Sequence, residues 1–205
     1  MGVRSSPKGH RRGALGTLVA IVLAAGLTPG IVGASATLNS TRPSAGAGLT
    51  HRLTTLWHAI SADDRALAAT VFFPEGPYLS MKTGRIPDPA ADYRTRLVAL
   101  YDLDVAAYHR WADGARLVRV NVEPGLATWI PPGACENRIG YWHLPGVRLV
   151  LARHHRFWSV GVFSLISWRG VYYVVHLGPN PRLSNVGTLD SPRLGAGGPG
   201  PGGGC

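Results

Sequence analysis

The hydrophobic pattern of this chain changes from a helical period to a two-residue alternation at Gly114. Before this glycine, apolar residues between Leu53 and Ile60 recur at steps of three and four, which places them on one face of a helix. After it, residues 117–122 alternate apolar and polar side chains, which is typical of a half-buried strand. A chain whose helices precede its strands is expected to form an α+β domain. We therefore predict N-terminal helices packed on an antiparallel sheet.

Two local signals predict further helices. Ser61 with Asp64 three positions later resembles a capping box and predicts a short second helix that ends at Ala69. Asp88 followed by Pro89 supplies an N-cap and a first-turn proline, so the longest helix is predicted over residues 89–112.

Strands are predicted where β-branched and aromatic residues cluster between turn residues. The predicted strands are residues 117–122, 127–130, 139–144, 148–153, 160–168 and 171–177. Turns are predicted at Pro145-Gly146 and at Trp168-Arg169-Gly170, and an exposed loop at His154-His155. The last two strands are apolar on both faces, so we expect helices to cover their sheet.

Composition divides the chain into four segments. Residues 1–36 combine a basic start, an uncharged apolar stretch and the small residues Ala34-Ser35-Ala36, which is the pattern of a secretory signal peptide. An uncleaved anchor is the alternative, since apolar residues 14–32 approach the length that spans a bilayer. Residues 37–48 are predicted to be a linker, residues 49–178 a single domain, and residues 179–205 a disordered Pro/Gly-rich tail. A cleaved signal predicts a protein that is secreted or held at the extracytoplasmic face of the cell envelope.

The charge limits which binding partners are expected, and the cysteine content limits which disulfides can form. The chain has 21 Lys and Arg residues against 11 Asp and Glu, a formal charge of +10. The arginines form no run, which argues against nucleic acid, although a basic surface suits anionic wall polymer or lipid. Export leads to an oxidising compartment, where Cys135 and Cys205 could form one intramolecular disulfide. Pairing with another chain, or no stable pairing, stays open. The oligomeric state is not indicated.

Several short motifs of the predicted domain are distinctive. They are Leu56-Trp57-His58-Ala59-Ile60 with Asp63-Asp64, Phe72-Phe73-Pro74 with Tyr78, Asp92-Tyr93-Arg94-Thr95-Arg96-Leu97, Trp129-Ile130-Pro131-Pro132-Gly133, and Ser164-Leu165-Ile166-Ser167-Trp168-Arg169-Gly170 with Tyr173-Val174-Val175-His176-Leu177. Together they resemble a family of uncharacterised exported proteins from actinobacteria, which brings no known activity and transfers no catalytic residue.

The order of helices and strands is also similar to the cone-shaped fold of nuclear transport factor 2. Its superfamily includes ketosteroid isomerase and scytalone dehydratase. The resemblance implies a curved antiparallel sheet wrapped around a long helix, with a cup open at one end. Such cups hold small apolar ligands, and some members use an Asp/His pair inside them. Fold alone does not fix function.

Three residues are candidates for acid–base catalysis. Asp104 falls near the apolar face of the long helix, where burial raises a carboxyl pKa and suits a general base. His109 on the same helix and His143 in the strand half could relay a proton as neutral imidazoles. The alternative is that Asp104 pairs with Arg110 or Arg96 at the rim of the helix, and that each histidine bonds to backbone.

The candidate ligand contacts are Tyr101, Tyr141, Trp168 and His176, whose rings could line a cup. The sequence has no His-x-His or His-Glu-x-x-His pattern, so neither a metal site nor a cofactor is expected. The interpretation we favour is a binding or accessory module of the cell envelope that takes a small apolar ligand. A lyase or isomerase that uses the Asp/His pair is one alternative. An electrostatic binder of anionic wall polymer or lipid is another.

Overall fold

The computed structural model describes residues 39–182 and 185–199. Its helices are α1 (Ala47–Ala62), α2 (Arg65–Ala69), α3 (Glu75–Met81), α4 (Pro89–Asp92) and α5 (Ala99–Trp111), and a π-helical segment, Tyr93–Val98, joins the last two. The strands are β1 (Arg116–Asn121), β2 (Thr128–Ile130), β3 (Tyr141–Arg153), β4 (Arg156–Trp168), β5 (Val171–His176) and β6 (Arg193–Leu194). The predicted α+β class is confirmed. The predicted signal peptide, residues 1–36, lies outside the described residues, as does Cys205.

The sheet is antiparallel and is built on the long hairpin of β3 and β4. Strands β1 and β2 pair with β3, while β5 and β6 pair with β4. The turns at His154-His155 and Arg169-Gly170 have positive φ at both residues, as two-residue hairpin turns of the favoured type require. The predicted turn at residues 168–170 and the exposed loop at His154-His155 are both confirmed.

The predicted turn at Pro145-Gly146 is wrong, because β3 runs through both residues. Pro145 lies opposite Ser164, and Val147 resumes the same register opposite Val162. Gly146 adopts a φ of 76°, a conformation that glycine reaches without steric cost. The strand therefore changes its local path at the Pro-Gly pair without reversing.

The N-cap signal at Asp88 places its helix start correctly, whereas the signal at Ser61 does not. The Asp88 carboxylate accepts a hydrogen bond from the Ala91 N–H at 2.9 Å, and Pro89 takes the first helical position. Asp64 accepts from the Leu67 N–H at 2.9 Å, so it is itself the N-cap of α2. The predicted box with Ser61 does not form, because α1 continues through Ala62.

The apolar face predicted for the first helix forms part of the core. Helix α1 buries Leu49, Leu53, Leu56, Trp57, Ala59 and Ile60 against the rest of the domain. On the sheet, β3 and β4 are buried along most of their length. Across the two described ranges, we find no helix that combines the length and the apolar character needed to cross a bilayer.

The predicted linker, residues 37–48, is wrong for its described part. The buried Asn39 accepts a hydrogen bond from the Arg169 N–H at 2.7 Å, and the Ser40 carbonyl accepts one from the Trp142 indole N–H at 2.9 Å. Helix α1 then begins at Ala47. These residues are held by polar contacts to the hairpin end of the sheet, and such contacts leave no apolar pattern in the sequence.

The predicted disordered tail is also wrong for residues 185–199. Strand β6 pairs with β4, and the N–H of the buried Asp190 donates to the Tyr108 hydroxyl at 2.9 Å. The Arg148 side chain, fully buried, donates to the Ser191 carbonyl at 2.7 Å. The tail is ordered by buried polar groups of the domain that need partners, because an unpaired buried polar group costs about 1–3 kcal/mol.

Candidate functional site

A cavity of about 390 Å³ opens between the helical half and the sheet. Its apolar lining consists of Phe73, Met81, Leu97, Ile130, Ile166 and Val175. Its polar lining consists of Tyr78, Lys82, Arg96, Glu136, Asn137, Tyr141, His143, Ser164, His176 and Asn180, with Cys135 beside them. The polar side chains outnumber the apolar ones, so the lining is more polar than that of a typical small-molecule site. The volume nevertheless falls in the range of about 300–1,000 Å³ common for such sites.

The π-helical segment carries two of the cavity residues. Arg96 and Leu97 both lie in Tyr93–Val98, and both line the cavity. The i→i+5 bonds of a π-helix widen the turn, and such segments occur frequently at functional sites. The Tyr93 hydroxyl donates to the Phe73 carbonyl at 2.8 Å, which fixes this segment against the cavity wall. Helical period alone predicts a regular helix here, so this feature was missed.

Arg96 is held in place by a carboxylate and a phenol. Its guanidinium donates to both oxygens of Asp92, at 2.6 and 2.7 Å. The Tyr78 hydroxyl donates to the same carboxylate. The Arg96 hydrogen bonds are the main cause that holds the pKa of Asp92 below its usual range. Burial, together with Asp92, raises the pKa of Tyr78. The network fixes a cation and a neutral phenol in the cavity wall.

Replacing Asp92 by asparagine should lower the free energy of unfolding by roughly 0.5–1 kcal/mol at pH 7, because Arg96 is partly exposed and the pair is screened. A carboxyl whose folded pKa is depressed stabilises the protein above its unfolded pKa of about 3.9, and this contribution is lost as pH falls through the folded pKa. The difference between wild type and D92N in urea unfolding should therefore shrink below about pH 4.

Asp102→Asn is the matched control on the same helical stretch. Burial raises the pKa of Asp102, so its ionised form is a penalty that acid relieves. Lowering the pH should therefore favour wild type over D102N. If the stability difference for D92N stayed constant from pH 7 to below pH 3, the role assigned to Asp92 would be refuted.

Two histidines and a serine meet on the sheet side of the cavity. His143 Nε2 lies 2.8 Å from the Ser164 hydroxyl, and both residues are buried. Ser164 is opposite His176 in the register of β4 and β5. Burial lowers the pKa of His143. Burial, then the nearby cations Arg96 and Arg182, lowers the pKa of His176 to about 3. Both imidazoles are neutral near pH 7, so each can donate and accept a hydrogen bond.

Three of the residues predicted from sequence line this cavity: His143, Tyr141 and His176. All three lie in strands that were predicted from their aromatic-rich sequence. Asn137 accompanies Tyr141, because the two side chains share a hydrogen bond.

Asp104 and His109 do not line the cavity. Asp104 is buried, and its carboxylate accepts from Arg182 at 2.7 and 2.8 Å and from the Gly178 and Thr188 N–H groups at 2.9 Å. Its expected partners, Arg110 or Arg96, were wrong. His109 Nδ1 lies 2.9 Å from the Ile60 carbonyl. The three predicted catalytic residues are therefore not brought together.

Tyr101 and Trp168 also lie away from the cavity. The Tyr101 hydroxyl donates to the Ala68 carbonyl at 2.9 Å, and its ring stacks on Phe72 with centroids 4.3 Å apart. Trp168 ends β4, where the Arg169 guanidinium lies 5.5 Å from its ring. Both rings serve packing in this structure.

The sequence interpretation missed Tyr78, Lys82 and Arg96 as cavity residues. Lys82 directly follows α3, and its backbone forms an isolated antiparallel β-bridge with Asn137. Its ammonium lies 4.8 Å from the centre of the Tyr78 ring. One signal was available, because the chain contains only two lysines, Lys8 and Lys82. Among the described residues, Lys82 is the only one.

Cys135 lines the cavity and is disulfide-bonded. The predicted partner, Cys205, lies outside the described residues, so this pairing stays a prediction.

Within residues 39–182 and 185–199, no group of three or more His, Cys, Asp or Glu side chains is placed to hold a metal ion. The expectation that no metal or cofactor is needed stays a prediction.

No protein-family model, curated protein or solved structure matches this chain. The actinobacterial and nuclear transport factor 2 resemblances therefore stay predictions, and any function has to be inferred from the cavity itself.

Proposed function

We propose that this protein is an exported small-ligand-binding module of the cell envelope, and that the ligand occupies the cavity of about 390 Å³. The observation that supports this proposal is the set of side chains that line the cavity. An apolar wall that includes Met81, Leu97 and Ile166 faces polar groups that include Arg96, His143 and His176. Such a wall favours an apolar ligand body, and the polar groups favour a ligand with one polar end.

The position of Asp104 favours a binding role for the cavity over catalysis by the predicted Asp/His pair. A general base must reach the proton that it removes. Both Asp104 oxygens are engaged with Arg182 and backbone N–H groups, and the residue does not line the cavity. A lyase or isomerase that uses Asp104 with His109 or His143 is correspondingly disfavoured.

The proposal includes a cone-like fold of the nuclear transport factor 2 type. In its favour, the helices precede an antiparallel sheet, and the cavity lies between residues of α3, the π-helical segment and strands β2 to β5. The proposed envelope location is supported by the signal-peptide pattern of residues 1–36 alone.

The cavity should bind 8-anilinonaphthalene-1-sulfonate, an aromatic probe with an apolar body and one anionic group. Ile166→Trp should weaken this binding at least tenfold, about 1.4 kcal/mol, because the indole fills space that the probe needs. A fluorescence titration of the full chain measures the effect. Val118→Trp is the control, since Val118 is exposed on β1 and does not line the cavity.

Both variants should first give a cooperative thermal transition, so that a misfolded sample is not scored as loss of binding. Equal probe affinity in wild type and I166W would contradict a ligand site in the cavity. So would the lack of saturable binding to wild type.

A second candidate function, contact with an anionic wall polymer or lipid, is favoured by the turn between β3 and β4. A concavity of about 470 Å³ there is lined by Trp111, Arg153, His154, Arg156 and Trp158. The two indoles meet edge to face, with ring centroids 6.3 Å apart. Cations beside partly exposed aromatic rings suit a polyanionic surface.

Arg156→Gln should weaken binding to vesicles that contain anionic lipid, or to isolated cell wall, by about fivefold at low salt, since a cation near such a surface contributes about 1 kcal/mol. Arg156→Lys keeps the charge and should bind as wild type does. Cosedimentation measures both. Binding that persists unchanged from about 0.1 M to about 1 M salt would exclude this candidate, because the Debye length falls from about 10 Å to about 3 Å over that range.

A further inference from the structure

Lys82 is chemically unlike the other cations of the described residues. Those other fixed cations are arginines. A guanidinium stays protonated in proteins, whereas a lysine amine can lose its proton and act as a nucleophile. Lys82 is therefore the one described side chain that can offer an amine, and it lines the cavity.

The surroundings of Lys82 leave its amine available. Within the described residues, its side chain takes part in no ion pair and donates no hydrogen bond that would fix it; its contact is with the face of Tyr78, 4.8 Å away. The nearby carboxylate of Asp92 is engaged by Arg96 at 2.6 Å. Glu136, the carboxylate that lines the cavity, is exposed and forms no ion pair with Lys82 among the described residues. A purely structural cation over a phenol ring could equally well be arginine.

We propose that Lys82 binds a small aldehyde or ketone covalently, as a Schiff base, inside the cavity. This inference rests on the proposed function, because the cavity must admit a small molecule. The ligand class is a carbonyl compound with an apolar body, since Phe73, Ile166 and Val175 belong to the apolar lining of the same cavity.

The chemistry balances without an oxidant or reductant. The lone pair of the neutral amine attacks the carbonyl carbon, the C=O π bond breaks, and the oxygen takes a proton to give a carbinolamine. The hydroxyl group then leaves as water after a second protonation, and the nitrogen loses its remaining protons as the C=N bond forms. One amine and one carbonyl thus yield one imine and one water. The Tyr78 hydroxyl and the imidazoles of His143 and His176 line the same cavity and can exchange these protons.

The electrostatic setting agrees with this role. Burial lowers the pKa of Lys82, and Arg96 acts in the same direction, while Glu136 and Asp92 oppose it. Tyr78 and His176 also face the amine, and both are neutral near pH 7. An ordinary lysine, with a pKa of about 10.4, is unprotonated in only about one molecule in 2,500 at pH 7. Each unit by which the pKa falls raises that fraction about tenfold.

The test is reductive trapping of the full chain with hexanal and sodium cyanoborohydride at pH 7. Peptide mapping by mass spectrometry locates each hexyl group, and Nα-acetyl-lysine amide in the same tube is the reference amine. Lys82 should be modified at least about tenfold faster than the reference amine. Excess 8-anilinonaphthalene-1-sulfonate should slow this modification, because it competes for the same cavity.

Lys82→Arg is the matched variant, since it keeps the charge and the contact with Tyr78 but removes the amine. It should lose the fast adduct. Modification of Lys82 at or below the reference rate, with saturable probe binding intact, overturns the Schiff-base inference and leaves the proposed function standing. Loss of both signals in wild type overturns both.

Discussion

Replacing Asp104 by alanine should lower the free energy of unfolding by about 3–5 kcal/mol, because it leaves a buried arginine without its counter-ion. The side chains of Asp104 and Arg182 are only 1% and 7% exposed. The substitution also removes the acceptor for the Gly178 and Thr188 N–H groups. Urea unfolding followed by far-UV circular dichroism measures the loss.

Asp102→Ala is the control for this experiment, because Asp102 is on the same helix but half-buried, and Arg182 is not its partner. The loss in the free energy of unfolding for D102A should be far smaller than that for D104A. Substitutions at positions open to solvent usually change it by no more than about 0.5 kcal/mol. Asp104→Asn should fall between the two, since the amide keeps one acceptor oxygen but not the charge. A loss below about 1 kcal/mol for D104A would show that this pair does not anchor the C-terminal segment.

Ending the chain at Gly178 should be at least as damaging, with a loss of about 5 kcal/mol or no cooperative folding at all. The deletion removes Arg182 from Asp104. It also removes the Asp190 N–H from the Tyr108 hydroxyl and the Ser191 carbonyl from Arg148. Several buried polar groups would thus lose partners together. The sequence pattern alone, which predicts a disordered tail here, predicts almost no effect.

Two controls separate packing from the disulfide in the deletion experiment. A chain that ends at Pro199 loses Cys205 but keeps the packed segment, and Cys205→Ser keeps every other residue. Both should stay closer in stability to wild type than the chain that ends at Gly178. Equal urea midpoints for wild type and the Gly178 chain would refute the packed tail.

Side-chain period predicted the elements that bury an apolar face. Leu53, Leu56 and Ile60 recur at helical spacing and do lie in the core, and residues 117–122 are close to the observed β1. The turn predicted at Pro145-Gly146 was wrong, because the same dipeptide is compatible with a turn or with a bent strand. Here the pairing with β4 keeps both residues in the strand. The C-terminal segment was missed because it is attached by the Arg182–Asp104 ion pair and by backbone hydrogen bonds, which leave no apolar pattern in the sequence.

The residues of the candidate site likewise fall into those that the sequence pattern predicted and those that it did not. Tyr141, His143 and His176 were predicted from aromatic-rich strands, and the sheet does bring them to one cavity. Asp104 was correctly expected near the apolar face of its helix, but a residue 78 positions away neutralises it. Lys82 lies just beyond a short helix, and only the meeting of that helix with the turn at Asn137 turns it into a cavity residue.

The long separation between Asp104 and Arg182 also constrains when the domain can fold. The helix that carries the aspartate is made early, and its counter-ion is 78 residues downstream. During synthesis, the carboxylate must stay hydrated until Arg182 has left the ribosome. Contacts of such long sequence separation slow folding, since chain entropy is lost before they form. The protein is thus expected to remain incompletely folded during synthesis, and to complete its core only once its C-terminal segment is free.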